Sequence, residues 1–230
     1  MRSLCIIIFL MSLLVLSGQE PLRFYSNGKC GYKTNENKII VNAIYEAGSE
    51  FENGYAIVMS NGKFGFLDKE GKLVISIVYE EAGLFNNGIA KVKINGKYGF
   101  IDTTSKAVIE PDYDYAGDLE EDLILVKKAK VGFIDKNGKT IIPLMYDDGN
   151  HFSSGLASVK LNGKWGLIDS KGITVIPFIY DMAYFFMNGE VKVVNKDKAI
   201  YVNMKNRKTR NAEERVGENE EEEREKRESK

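Results

Sequence analysis

Apolar and polar residues alternate with a period of two along most of the chain. Ala90, Val92 and Ile94 alternate with Lys91 and Lys93, and Ala157, Val159 and Leu161 with Ser158 and Lys160. This period places one set of side chains on each face of a strand; a helix would need a period near 3.6. Asn-Gly follows at 61-62, 95-96 and 162-163, a pair that tolerates the positive φ angles of a type I′ hairpin. A returning strand carries an aromatic-Gly-aromatic-apolar-Asp motif, and a second turn follows, as at Lys69-Glu70-Gly71, Lys136-Asn137-Gly138 and Ser170-Lys171-Gly172. The chain then enters a β-branched run such as Thr140-Ile141-Ile142 or Thr174-Val175-Ile176. Pro143 and Pro177, which lack an amide donor, are expected to end that third strand.

The same elements recur on a fixed beat. Glycines fall at Gly31, Gly65, Gly99, Gly132 and Gly166, in steps of 34, 34, 33 and 34 residues. Tyrosines followed by an acid keep time with them: Tyr45, Tyr79, Tyr113, Tyr146 and Tyr180. A third marker, an apolar residue before a turn, stands at Phe51, Phe85, Leu119, Phe152 and Phe186. The short step is missing one residue between Leu119 and Gly132, and a turn is where a deletion costs least. Five repeats of about 34 residues, followed by part of a sixth, describe this arrangement.

Each repeat therefore reads as a three-stranded antiparallel meander, and a Tyr-acid loop crosses to the next. One such sheet cannot bury its apolar face alone, so neighbours must stack. An all-β open or curled array is the expected fold, with closure into a propeller-like ring as the alternative. The repeat domain is expected to span residues 19–204.

The two ends differ from this body. Residues 3–17 are apolar and uncharged behind Met1 and Arg2, the pattern of a secretory signal, with cleavage expected near Ser17 and Gly18. Residues 1–18 are therefore read as a signal peptide, leaving no membrane span once it is cleaved. Cys5 leaves with it, so Cys30 is the single mature thiol and no intramolecular disulfide can form. Residues 205–230 hold nine basic and nine acidic residues with Val216 as almost the only large apolar side chain. That stretch cannot build a core and reads as a charged, disordered tail.

Charge and chemistry narrow the function classes. Thirty-two basic against 33 acidic residues leave a net charge of −1, which steers the chain toward neither a polyanion nor an anionic membrane. Lys127-Lys128-Ala129-Lys130 is too small a basic patch to argue for nucleic acid. Asp68, Asp102, Asp135 and Asp169 could suggest a carboxylate hydrolase. Glycosidic cleavage, however, needs one pair at a fixed separation, whereas these come one per repeat before a turn, where Asp accepts backbone N–H bonds. His151 is the only histidine and has no partners for a zinc or triad site. No catalytic residue, metal site or cofactor is expected. Periodic tyrosines read as core between repeats. The residues that break the beat, or are aromatic on it, are the ligand-binding candidates: Trp165, His151, Tyr184 and Tyr98.

Asn162-Gly163-Lys164-Trp165-Gly166-Leu167-Ile168-Asp169, followed by Lys171-Gly172, Ile176-Pro177 and Tyr180-Asp181, resembles the WG-repeat (KWG-repeat) proteins over residues 28–204. Phe64, Tyr98 and Val131 stand where the tryptophan belongs in other copies, and the first copy has lost the Lys-Trp and the Asp. The resemblance implies a bacterial repeat scaffold, often exported, and supplies no catalytic residue. The expectation is a non-enzymatic module that binds a protein or cell-envelope component in the periplasm, at the cell surface or outside the cell. A carbohydrate or cell-wall binding module is the more specific alternative, and a hydrolase the other.

Overall fold

The computed structural model describes residues 20–205 and 207–211. The signal peptide expected at residues 1–18 lies outside the described residues, as does the part of the tail expected at residues 205–230 that runs from residue 212 onward. Six antiparallel sheets follow one another, each with its strands in chain order. The first joins Leu22–Ser26, Lys29–Lys33 and Ile39–Tyr45; the second Ala47–Gly48, Tyr55–Ser60, Lys63–Asp68 and Leu73–Tyr79. The third joins Glu81–Ala82, Ile89–Ile94, Lys97–Asp102 and Ala107–Tyr113; the fourth Tyr115–Glu120, Leu123–Lys127, Val131–Asp135 and Thr140–Tyr146. The fifth joins Asp148–Gly149, Leu156–Leu161, Lys164–Asp169 and Thr174–Tyr180; the sixth Met182–Met187, Glu190–Asn195, Lys198–Asn203 and Lys208–Asn211.

The three expected strands of each repeat are thus present, and from the second sheet on a leading strand is added beside them. It forms from the Tyr-acid crossover. The acid's own amide donates to the next sheet, as from Glu80 to the Lys93 carbonyl at 2.8 Å and from Asp147 to that of Lys160 at 2.8 Å. In the sixth sheet, pairing runs past residue 204 through Lys208–Asn211.

The Asn-Gly pairs take positive φ at both residues, 51° and 67° at Asn61 and Gly62, as type I′ turns require. The short repeat lost its residue from this hairpin, where Lys128-Ala129-Lys130 connects Lys127 to its partner Val131. The prolines behave differently from expectation. Pro143 and Pro177 lie inside Thr140–Tyr146 and Thr174–Tyr180 rather than at their ends. Phe133 pairs with Ile142 and Val131 with Tyr146, so the fourth strand bulges by two residues at Pro143. An edge strand at a bulge needs no amide from proline, which is why it is tolerated there.

That bulge also explains the glycine beat. A Cβ built on Gly31, Gly65, Gly99, Gly132 or Gly166 would lie 2.5 to 2.7 Å from a carbonyl oxygen of the bulged strand. Only a residue without a side chain lets the two backbones come this close.

Stacking is carried by the two residues after each glycine. Phe133 packs toward the fifth sheet with Phe152, Ala157 and Val159, while its neighbour Ile134 packs toward the third with Phe100 and Ile109. Leu167 and Ile168 divide in the same way between the sixth and fourth sheets. Strand alternation thus joins each inner sheet to both neighbours. Five buried clusters join the six sheets in succession, and among the described residues none joins the sixth to the first. The array is open, so the propeller-like ring is not formed. Cys30 is fully buried in the cluster between the first two sheets, and burial pushes its thiol pKa up, which makes it a poor nucleophile.

Candidate functional site

The acids that might have suggested catalysis close turns. Asp135 Oδ1 accepts from the amides of Asn137 and Lys139, each at 2.9 Å, and Asp169 Oδ1 from those of Lys171 at 2.9 Å and Ile173 at 2.8 Å. Asp102 does the same with Thr104 and Lys106, and Asp68 accepts from Lys72 at 2.8 Å. Among the described residues no three His, Cys, Asp or Glu side chains gather closely enough to hold a metal ion.

The acids after the tyrosines tie one sheet to the next. Lys63, Lys97, Lys130 and Lys164 pair with Glu80, Asp114, Asp147 and Asp181. The same carboxylates reach the next hairpin: Glu80 accepts from the Gly96 amide and Asp147 from that of Gly163, both at 2.9 Å. Asp181 accepts from Lys196 at 2.8 Å, and Glu46 from Asn61 at 3.0 Å. The Lys before the Trp position and the acid after the Tyr are therefore one structural device. Hydrogen bonds from Lys130 and Lys164 hold Asp147 and Asp181 below the usual carboxylate range, and the Asn61 amide does so for Glu46.

These shifts predict an acid limit. A carboxyl whose folded pKa is depressed contributes its full stability above its unfolded value, roughly 4, and loses it as pH falls through the folded value. The urea midpoint should stay level from about pH 7 to pH 5 and fall below about pH 4. An Asp147→Asn, Asp181→Asn double variant should show a shallower fall; an identical pH profile would refute the link.

The four ligand candidates separate. Trp165 is half-buried against the cluster between the fifth and sixth sheets, opposite Tyr180 in the neighbouring strand. Tyr79, Tyr146 and Tyr180 are buried in such clusters, with Tyr45 and Tyr113 half-buried beside theirs. Tyr98 is half-buried in the same way against the cluster between the third and fourth sheets, but it also lines a cavity beside the leading strands, as His151 and Tyr184 do. The Tyr98 hydroxyl donates to Glu81 Oε2 at 2.8 Å, and Lys93 sits over its ring at 4.8 Å. His151 packs on Phe185 with ring centroids 4.6 Å apart. Tyr184 is 43% exposed, with Lys192 at 5.4 Å from its ring.

Several cavities follow this side among the described residues. One of about 450 Å³ lies between the third and fourth sheets, with Tyr98, Ile89, Phe100 and Leu119 among its walls and Lys91 paired with Asp118 at 2.7 Å. A second, of about 430 Å³, lies between the fourth and fifth, against Tyr115, Glu120, Asp148, Asn150 and His151. Asp118 lines both, so they adjoin. A third, about 300 Å³, opens on the sixth sheet beside Tyr184 and Tyr201. Another, of about 250 Å³, lies on the second sheet beside Ala47, Gly48 and Phe64. The basic patch splits here: Lys128 pairs with Asp112 and Lys130 with Asp147, while Lys127 faces the second cavity. Sequence reasoning missed Tyr115, 51% exposed with its ring edge-on to Tyr98 at 6.3 Å. Its signal was available, since the corresponding positions are Ala47, Glu81, Asp148 and Met182.

A family model described as WG containing repeat matches residues 31–64, 64–98, 98–130, 132–165 and 165–198. No curated protein matches the sequence. Among solved structures the chain is similar to Kluyveromyces lactis Hsv2, at 7% identity and a TM-score of 0.43, over 81% of this chain and 71% of that one. A form of Hsv2 with loop 6CD complete matches at 12% identity and 0.42, over 68% of this chain and 59% of that one. A eukaryotic initiation factor matches at 12% and 0.49, over 82% of this chain and 62% of that one. The chain thus spans about three fifths of the length of two of these structures. Such loose likenesses bear on neither ligand nor partner.

Proposed function

The chain belongs to the WG-repeat family, and from that premise we propose that it is an exported, non-enzymatic scaffold that binds a protein or another ligand at the cell envelope. The supporting observation is the pair of adjoining cavities between the third, fourth and fifth sheets. Tyr98 and Phe64 apart, the residues named above on the repeat's beat are occupied in turns, inter-sheet ties and core, whereas Tyr115, Asn150 and His151 depart from it and line the second cavity. Concave sites with a few polar groups set among apolar walls are where small ligands and extended segments bind.

The test is capture from solubilised envelope fractions by the folded protein. A Tyr115→Ala, His151→Ala double variant should keep its fold and lose the captured component. Equal retention by both proteins, or none by either, would remove the support for this reading. Export is tested separately by following the chain in fractionated cells; recovery only from the cytosol would contradict it.

A further inference from the structure

Resting on that binding role, we infer that the two adjoining cavities form one site for a neutral saccharide chain, laid past Gly83 and over the exposed Tyr115 ring. Gly83 and Gly117 are glycines that backbone conformation does not require. Neither takes a positive φ. A Cβ at Gly83 would meet nothing nearer than Lys91 Cβ at 3.6 Å, and one at Gly117 nothing nearer than Leu125 at 3.7 Å, both ordinary contacts. The same place, four residues after the repeat tyrosine, holds Ser49, Asn150 and Tyr184 in other sheets. Gly117 is buried and lies in the register shift between Ala116 and Leu119, as Tyr184 does in that of the sixth sheet. Gly83 instead follows Glu81–Ala82 half-buried, and its missing side chain leaves room for another body beside the backbone. Gly83 lines the first cavity and Gly117 the second.

The walls select the ligand. A sugar ring offers a C–H face to apolar and aromatic surface, and hydroxyls around its rim that both donate and accept. Leu84 and Leu119 supply apolar surface in the first cavity, and the exposed Tyr115 ring supplies it in the second. Around Tyr115, Glu120 and Asp148 offer acceptors, Lys127 offers donors, and Asn150 offers both. Carboxylates oppose an anionic chain. Asp118 and Glu81 are already paired with Lys91 and Lys93, and Lys127 shares the second cavity, so a cationic chain gains little. Sheets stacked face to face are about 10 Å apart, so occupying both cavities takes more than one ring.

Calorimetric titration of the folded protein with cellotetraose and with an N-acetylglucosamine tetramer tests the assignment. At least one tetramer should bind, with the matching monosaccharide at least about tenfold weaker. Gly83→Tyr and Tyr115→Ala should keep the fold and each weaken tetramer binding by about tenfold or more. Should Gly83→Tyr fail to fold, Gly83→Asn, which puts the residue of the fifth sheet in its place, carries the same test. Variants that bind as the unaltered protein does would overturn the site, and tetramers that fail to saturate at millimolar concentration would overturn the ligand. A lysine-rich decapeptide that binds where the tetramers do not would also overturn it. If saccharides fail while envelope capture stays sensitive to Tyr115 and His151, the saccharide assignment falls and the scaffold reading stands. If both fail, both fall.

Discussion

Replacing Gly132 by alanine should destabilise the protein by about 3 kcal/mol or more, lower its thermal midpoint by roughly 10 °C and reduce its soluble yield. One methyl has this effect because of what it would meet. Its carbon would stand 2.7 Å from the Ile142 carbonyl oxygen, 2.8 Å from the Leu144 amide nitrogen and 2.8 Å from the Pro143 carbonyl carbon. All three belong to backbone, so no side-chain rotation relieves the clash. The Phe133–Ile142 and Val131–Tyr146 pairs hold the bulge on both sides. The fourth strand must therefore lift away, and Ile142 and Tyr146 would leave the cluster shared with the fifth sheet. Gly117→Ala is the control, since its nearest contact is 3.7 Å, and it should change stability by no more than about 0.5 kcal/mol. Urea melts of the two variants decide the matter. Equal midpoints would show that the repeat glycine is not held by this contact.

This glycine also marks how far the sequence could be read. Its recurrence was plain at residue level, and so was its structural nature, but the cause was not. The cause is a bulge in a partner strand about ten residues further on, whose proline reads locally as a terminator. Signals contained in one hairpin were legible: the period of two, the Asn-Gly turns, and the aspartates that close their own turns. The leading strands were not, because segments such as Ala47–Gly48 and Glu81–Ala82 are too short to alternate and are defined by the next sheet. The candidate site divided for the same reason. Tyr98, His151 and Tyr184 could be chosen as features on or off the beat, and they do line open space. Trp165 looked equally suitable and is half-buried against the next sheet as Tyr98 is, yet it lines none of the cavities described above. Gly83 and Gly117 stand apart from the repeat glycines through the ordinary contacts a Cβ would make there.

Replacing Phe133 by alanine should cost about 4 kcal/mol and divide unfolding into two steps. Phe133 is fully buried, and its ring meets that of Phe152 edge-on at 4.8 Å, which makes it the central contact between the fourth and fifth sheets. Packing between sheets joins chain neighbours only, so cooperativity must pass through each interface in turn. A cavity at this one uncouples two parts of unequal stability. The first four sheets keep three buried clusters among themselves, whereas the last two keep one. The fifth and sixth sheets should therefore melt first in calorimetry, and their amides should lose protection from hydrogen exchange ahead of the rest. Tyr184→Ala removes an aromatic ring of similar size from the outer face of the last sheet, where no further sheet packs. It should change stability by no more than about 0.5 kcal/mol and leave a single transition. If Phe133→Ala also unfolded in one step, coupling would have to reach beyond neighbouring sheets, and an open stack offers no contact to carry it.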